Sequence, residues 1–202
     1  VYDINDNLLE KQEEKEFCSK IDDNIEQYDV VIIVDYGHGL ITPKIINRLE
    51  NNSNYLAVNT QLNSFNMGHH TISKYSNIDY LCVHEGELRH NYRDRSDNVK
   101  NLTKILSNRI KADVIVITQG NKGSLAYDNI DFINCPAYAV EIVDRVGAGD
   151  TLLAITSLCF AVGMPKDLTL FIGNLAAAEM VASIGTGMKL SKINILKSIE
   201  TL

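Results

Sequence analysis

The stretch "EIVDRVGAGDTLLAITSLCFA", residues 141–161, decides how the chain is read. An apolar run ends in a turn holding Gly147 and Gly149, and Asp150 leads into a second, longer apolar run. This is the pattern of a strand, a glycine turn and a helix. The first N–H groups of a helix have no acceptor within it, and with the helix dipole they favour an anion. Glycines at 147 and 149 let the backbone approach that anion with no Cβ in the way. Such a nest, made by the N–H groups of Ala148, Gly149 and Asp150, suits phosphoryl transfer, where charge sits on the oxygens of the transferred group. A carboxylate at the same turn, Asp150, could take the proton of an attacking hydroxyl. A plainer reading stands beside this one. Aspartate is a favoured N-cap, and glycines are common in strand-to-helix turns. From these residues alone both readings stay open.

Working outward, the chain alternates strand-like and helix-like segments. A polar stretch from Glu13 to Gln27 has apolar residues at helical spacing and reads as a surface helix. "DVVIIVD" (29–35), "YLAVN" (55–59), "DYLCV" (79–83) and "DVIVITQG" (113–120) are short apolar runs, the pattern of strands covered on both faces. Between them lie "KIINRLENN", introduced by Thr42 as N-cap and Pro43 at the first helical position, and helical segments from "HEGELRHNY" and over 98–111. "GSLAYDN" and "DFINC" predict a short antiparallel pair, and "AVEIVD" a further strand. Helices are expected over 149–162, 166–184 and 192–202. The polar stretch 60–77 is long for a loop in a compact domain, a length that usually serves function or motion. Strands alternating with helices predict an α/β sandwich with a mostly parallel central sheet. No internal repeat or low-complexity linker interrupts it, so one domain over residues 1–202 is expected.

Composition narrows the function classes. The chain has 202 residues, 45% of them hydrophobic, and a formal net charge of −7. An acidic balance argues against nonspecific binding to nucleic acid or to an anionic membrane. It leaves room for a nucleotide whose phosphates meet backbone N–H groups. Four cysteines, Cys18, Cys82, Cys135 and Cys159, form no C-x-x-C pair and read as reduced thiols of a cytoplasmic protein. No metal site is expected, because the pair His69-His70 has no third ligand at useful spacing. No apolar run is long enough to span a membrane, and the first residues lack the pattern of a signal peptide.

A second glycine turn, "TQGNKG" with Thr118, Gly120 and Gly123, falls at the carboxyl end of the fourth strand, the edge where open α/β sheets bind ligands. Downstream, "GNLAAAEMVASIGTG" places Ala176 to Ala178 on a helix after Asn174. Small side chains there would admit a flat base, or simply let helices pack closely. With these motifs assembled, the chain resembles the ribokinase-like (PfkB-type) carbohydrate kinases. "DRVGAGDTLLA" resembles their D-T-x-G-A-G-D signature and "VITQGNKGSLAY" their V-T-x-G-x-x-G turn. "LCVHEGELR" takes the place of an N-x-x-E segment, and "DYGHGLIT" that of a D-Y-x-K-G-x-L segment of the heptose-phosphate kinase branch. The resemblance runs from about Asp29 to the C-terminus and is nearest to sugar-kinase modules linked to a cytidylyltransferase-like domain.

The resemblance implies a three-layer, ribokinase-like fold and transfer of phosphate from ATP, with Mg2+, to a hydroxyl of a sugar or sugar phosphate. It implies Asp150 as catalytic base and Gly147, Ala148 and Gly149 as anion hole. Thr118, Gly120 and Gly123 become the nucleotide loop, with Asn174 near the adenine, and Glu87 the acid linked to magnesium and phosphate through water. Expected partners are the sugar substrate and a cytidylyltransferase-like domain or subunit, and a homodimer is compatible. The chain departs from the pattern at His84, where asparagine is usual, at His38 in place of lysine, and at Arg145 in place of threonine. It is also expected to start partway through the fold, without the N-terminal glycine pairs and the β lid. Two other readings remain: a noncatalytic nucleotide-binding or assembly module on the same fold, and a kinase for a nonsugar acceptor such as a hydroxymethylpyrimidine.

Overall fold

The computed structural model describes residues 9–63, 71–139, 143–144, 146–182 and 190–200. Six strands form one sheet in the order β1-β2-β3-β4-β5-β6. The chain divides into two compact units, Val1–Ile115 and Val116–Leu202.

In the first unit, α1 (Lys11–Asn24) precedes β1 (Val31–Asp35), α2 (Pro43–Asn52), β2 (Leu56–Thr60), β3 (Tyr80–His84), α3 (Glu85–Tyr92) and α4 (Val99–Ser107). The strands β1, β2 and β3 are parallel, with Ile33 opposite Val58 and Val58 opposite Leu81. Thr42 caps α2, its hydroxyl accepting from Ile45 N–H at 3.4 Å, and Pro43 takes the first turn as its fixed φ favours. The Thr42 hydroxyl also donates to Glu14 Oε1 at 2.5 Å, which ties α2 to α1. The core is built from Ile33, Ile45, Leu49, Leu56, Val58, Leu81, Val83, Leu88, Leu102 and Leu106, all buried.

The carboxyl end of β1 buries a charge. Asp35 is 2% exposed, yet its carboxylate accepts from the Tyr75 hydroxyl at 2.6 Å and Gly37 N–H at 3.0 Å and pairs with Lys74. A buried carboxylate persists only when paired and hydrogen-bonded in this way. Burial, then the neighbouring Asp35, pushes the Tyr75 hydroxyl far above its usual range.

In the second unit, β4 (Val114–Thr118) brings the chain in, and β5 (Ser124–Tyr127) and β6 (Phe132–Cys135) form an antiparallel pair with Leu125 opposite Asn134. Helices α5 (Ala148–Ala161), α6 (Lys166–Val181) and α7 (Lys192–Glu200) follow. The β5–β6 turn is fastened to the first residue of α6, where Lys166 pairs with Asp128 and Asp131. Helices α5 and α6 lie close at Gly173, where a Cβ would come within 2.5 Å of Thr156 Cγ2.

Most sequence expectations hold to within a few residues. β1 departs from its expected burial. Its residues alternate, and Ile32 and Val34 are 36% and 40% exposed, so only one face is covered among the described residues. Successive side chains of a strand point to opposite faces, so Ile33 and Asp35 share the covered face of β1 while Ile32 and Val34 lie on the other. The helix expected over 98–111 stops at Ser107, and the one expected to Ile184 is described to Val181. The loop after β2 is not wholly open, since Ile72 and Tyr75 are buried. His69, His70, Arg145 and three of the six residues of the expected strand at 139–144 lie outside the described residues, and the other three of that strand are irregular. Cys18, Cys82 and Cys135 are buried free thiols, and Cys159 is half-buried. No described helix is long and apolar enough to cross a membrane.

Tyr75→Phe removes one hydrogen bond to a buried carboxylate and leaves Lys74 and Gly37 in place. It is expected to lower stability by about 1–3 kcal/mol with the fold retained. Urea unfolding of the two proteins checks this, and an unchanged midpoint would deny the Tyr75–Asp35 bond a structural role.

Candidate active site

The glycine turn of residues 146–150 is built as an open helix start. Gly147 is the N-cap of α5 with φ 84°, a left-handed conformation that costs a residue with a Cβ, and it offers no side-chain cap. Helix α5 therefore begins at Ala148, and Asp150 occupies the third helical position. It is not the N-cap that the plainer reading of the sequence allows. The first helical bond runs from Thr151 N–H to Gly147 O at 2.9 Å, so the Ala148 and Gly149 amides lie ahead of any intrahelical acceptor. Both Gly149 and Asp150 are exposed, and among the described residues, chain neighbours and the helix's own backbone aside, nothing lies within 4 Å of where a Cβ at 149 would stand. The Gly149 position is thus open at an exposed turn. Asp150 also sits where a negative charge complements the helix dipole, so its place stabilises α5 whatever else it does.

Helix α6 joins this turn to the second one. Val143 and Asp144 N–H both donate to Val181 O, at 2.8 and 3.2 Å, at the carboxyl end of α6. The Met180 side chain lies 3.7 Å from where a Cβ of Gly147 would be. Six residues earlier, Asn174 is buried and its side-chain amide donates to Ser124 Oγ at 2.6 Å and to Leu170 O at 2.8 Å. Ser124 directly follows the Thr118–Gly123 turn. At about 1.5 Å per residue, the two turns bear on α6 some 9 Å apart along its axis.

The Thr118–Gly123 turn is tight. Gln119 N–H donates to Gly123 O at 2.8 Å and Gly123 N–H to Gly120 O at 3.0 Å. Gly123 has φ 91°, and a Cβ there would fall 2.0 Å from Cys135 O. Gly123 is thus demanded by the backbone of β6, a structural need. Gly120 has φ 60° but open space beyond it. Asn174 spends its amide group on Ser124 and Leu170, and Ala176 is fully buried. Thr118 is half-buried at the end of β4.

In the first unit, Glu87 belongs to the capping box of α3. Its carboxylate accepts from His84 N–H at 2.6 Å and from Leu62 N–H at 3.3 Å. Burial pushes its pKa up to about 7, against the pull of those two amides. His84 is the N-cap of α3. The described residues hold no group of three or more His, Cys, Asp or Glu arranged to bind a metal. Tyr75, Ser124 and Leu62 were not singled out by sequence, and Asp35 entered as the first residue of the DYGHGLIT segment. Of these, only Asp35 carries a local signal, as a charge ending an apolar run.

The pattern of the pfkB family carbohydrate kinases matches residues 4–193. The chain belongs to that family. Among curated relatives, the bifunctional protein HldE of Campylobacter fetus is 29% identical over 179 residues, covering 85% of this chain and 37% of the relative. HldE of Helicobacter pylori is 26% identical over 173 residues, covering 82% and 36%. The chain therefore spans little more than a third of the length of these relatives. Among solved structures, phosphofructokinase-2 from Escherichia coli in complex with potassium superposes with a TM-score of 0.79 at 16% identity, over 96% of this chain and 63% of that one. Arabidopsis thaliana ribokinase complexed with ribose and ATP gives 0.72 at 16% identity, over 96% and 60%. The pfkB chain thus has the ribokinase-like α/β fold that the sequence resemblance implies.

Two outcomes are expected here. Gly123→Ala should prevent the turn from closing and unfold the second unit, whereas Gly120→Ala should cost only about 1–2 kcal/mol of left-handed strain. Circular dichroism and urea unfolding separate the two, and equal effects would remove the clash with β6 as the cause. Glu87 gives a pH signature. Its folded pKa, about 7, lies above the usual 4.5. Across that window the folded state holds the proton more tightly, so stability falls as pH rises. Glu87→Gln is expected to flatten this decline in unfolding midpoints measured from acidic to neutral pH.

Proposed function

We propose that this chain carries the nucleotide turn and the catalytic base of an ATP-dependent kinase acting on a hydroxyl of a sugar or sugar phosphate. The carrying observation is the start of α5: a left-handed glycine cap, first amides without an intrahelical acceptor, and exposed Asp150 in the first turn. An anion fits this turn, because among the described residues, its chain neighbours and own helix backbone aside, nothing lies within 4 Å of where a Cβ at Gly149 would stand. In this reading Ala148 and Gly149 N–H, with Gly147 shaping the turn, hold negative charge that develops on the transferred group. Asp150 accepts the proton of the attacking hydroxyl, the hydroxyl oxygen forms the new bond to the γ-phosphorus of ATP, and the bond from that phosphorus to the bridging oxygen breaks as ADP leaves.

ATP supplies the phosphoryl group, and Thr118, Gly120 and Gly123 with the α6 segment from Asn174 are proposed to hold its nucleoside end. Mg2+ is proposed to be ordered through water by Glu87. That residue fits an indirect role, since both its oxygens already accept backbone N–H and each keeps a further lone pair. The whole chain is proposed as one kinase domain. The relatives called bifunctional support a second catalytic module as partner, of the cytidylyltransferase type that the sequence resemblance suggests, in the cytoplasm. A homodimer is compatible with this reading.

The test is turnover with a panel of sugars and sugar phosphates, using the full-length protein and its Asp150→Asn variant. Asparagine keeps the size of the side chain but cannot accept the proton. Turnover is expected to fall about 10²–10⁴-fold, with ADP binding by calorimetry retained. Equal rates would remove Asp150 as base. ADP binding without turnover in either protein would favour the noncatalytic nucleotide-binding module.

A further inference from the structure

We infer that His84 is held as its Nε2–H tautomer and serves as a hydrogen-bond donor to a phosphoryl oxygen, not as a metal ligand. The run "HEGE" at residues 84–87 invites a metal reading, and the geometry of the ring opposes it. His84 Nδ1 accepts from Gly86 N–H at 3.0 Å. A backbone amide can only donate, so Nδ1 presents its lone pair inward and the ring proton resides on Nε2. An Nε2 that carries a proton has no lone pair for a cation.

Three observations hold the ring in this state. The cap is reciprocal: His84 N–H donates to Glu87 Oε2 at 2.6 Å while the His84 ring serves the start of the same helix. Gly86 makes room for the ring, since a Cβ there would lie 3.1 Å from Nδ1 and 3.6 Å from Cε1. The carboxylates that would complete a metal site are engaged elsewhere, Glu87 with the His84 and Leu62 amides and Glu85 with Arg89.

What remains is an exposed donor at the carboxyl end of β3, on the ligand-binding edge of the parallel strands β1–β3. Its natural complement is an anionic oxygen, and a bond to a charged oxygen is the stronger kind. That the anion is a phosphoryl group rests on the kinase reading. The tautomer does not, and it can be tested alone.

The experiment uses the full chain labelled with 15N at histidine. Two-bond 15N–1H spectra distinguish the tautomers, and loss of one resonance in His84→Ser assigns it. The expected result is an Nε2–H pattern for His84, and movement of its Nε2 resonance when inorganic phosphate or glucose 6-phosphate is added but not with glucose or chloride. A response to glucose 6-phosphate alone names a phosphate ester as the ligand, and a response to both names the phosphoryl group itself. Serine keeps a good N-cap, so His84→Ser should fold normally and bind the responding anion about 10-fold more weakly.

An Nδ1–H pattern overturns the inference. So does an Nε2 resonance indifferent to both phosphates, with His84→Ser indistinguishable in affinity, because His84 would then only cap α3. Calorimetry with ADP, run in parallel, tests the kinase reading by itself, so failure of one is not mistaken for failure of the other.

Discussion

Gly173 admits no side chain, because α5 and α6 meet there with Thr156 Cγ2 where a Cβ would project. That close approach is the constraint on which the second unit depends. With α6 fixed against α5, its buried Asn174 reaches Ser124 on β5, and its last carbonyl, Val181 O, takes the two amides that lead into the glycine turn. Lys166 anchors the opposite end of α6 to the β5–β6 turn. One helix thereby sets the relative placement of two turns that lie far apart in sequence. The reason is general: interiors are close-packed, so a shift of one packed helix is passed to whatever it touches.

The first unit solves a different problem. Asp35 places a carboxylate inside the protein at the end of an apolar strand, and three donors from two loops converge on it. Because desolvating a charge is costly, each donor is held in place as firmly as the carboxylate needs it. The segment after β1 and the segment before β3 are fixed to one another by that need.

How much of this was legible in the sequence follows from how local each feature is. The strands could be read because β-branched runs such as "VIIVD" and "VIVIT" stop at polar residues, and the glycine turn because strand, glycines and helix are contiguous. Burial of β1 could not, since it depends on what covers each face of the strand. The partner of Asn174 is 50 residues away and the second partner of Glu87 is 25 away. No spacing rule links such residues. The first position of α5 turned on a single left-handed glycine, and Asp150, a good capping residue, drew attention from it. Family resemblance named the candidate site residues, but it did not show that Gly123 answers to β6 or that Glu87 is committed to two amides.

The start of α5 also has a bearing on how the protein could be improved or worn down. Serine, threonine, asparagine or aspartate at an N-cap commonly stabilises a helix, and glycine inside the first turn weakens it. Residues 147 and 149 are both glycine. A search for thermostable variants would therefore be drawn to this turn, where the local rules of helix design are least satisfied. At Gly147 the left-handed backbone, φ 84°, would set strain against any such gain, and in the proposed kinase position 149 is kept bare for the ligand, so stability won there would be taken from function. Robustness has to be sought elsewhere in the chain.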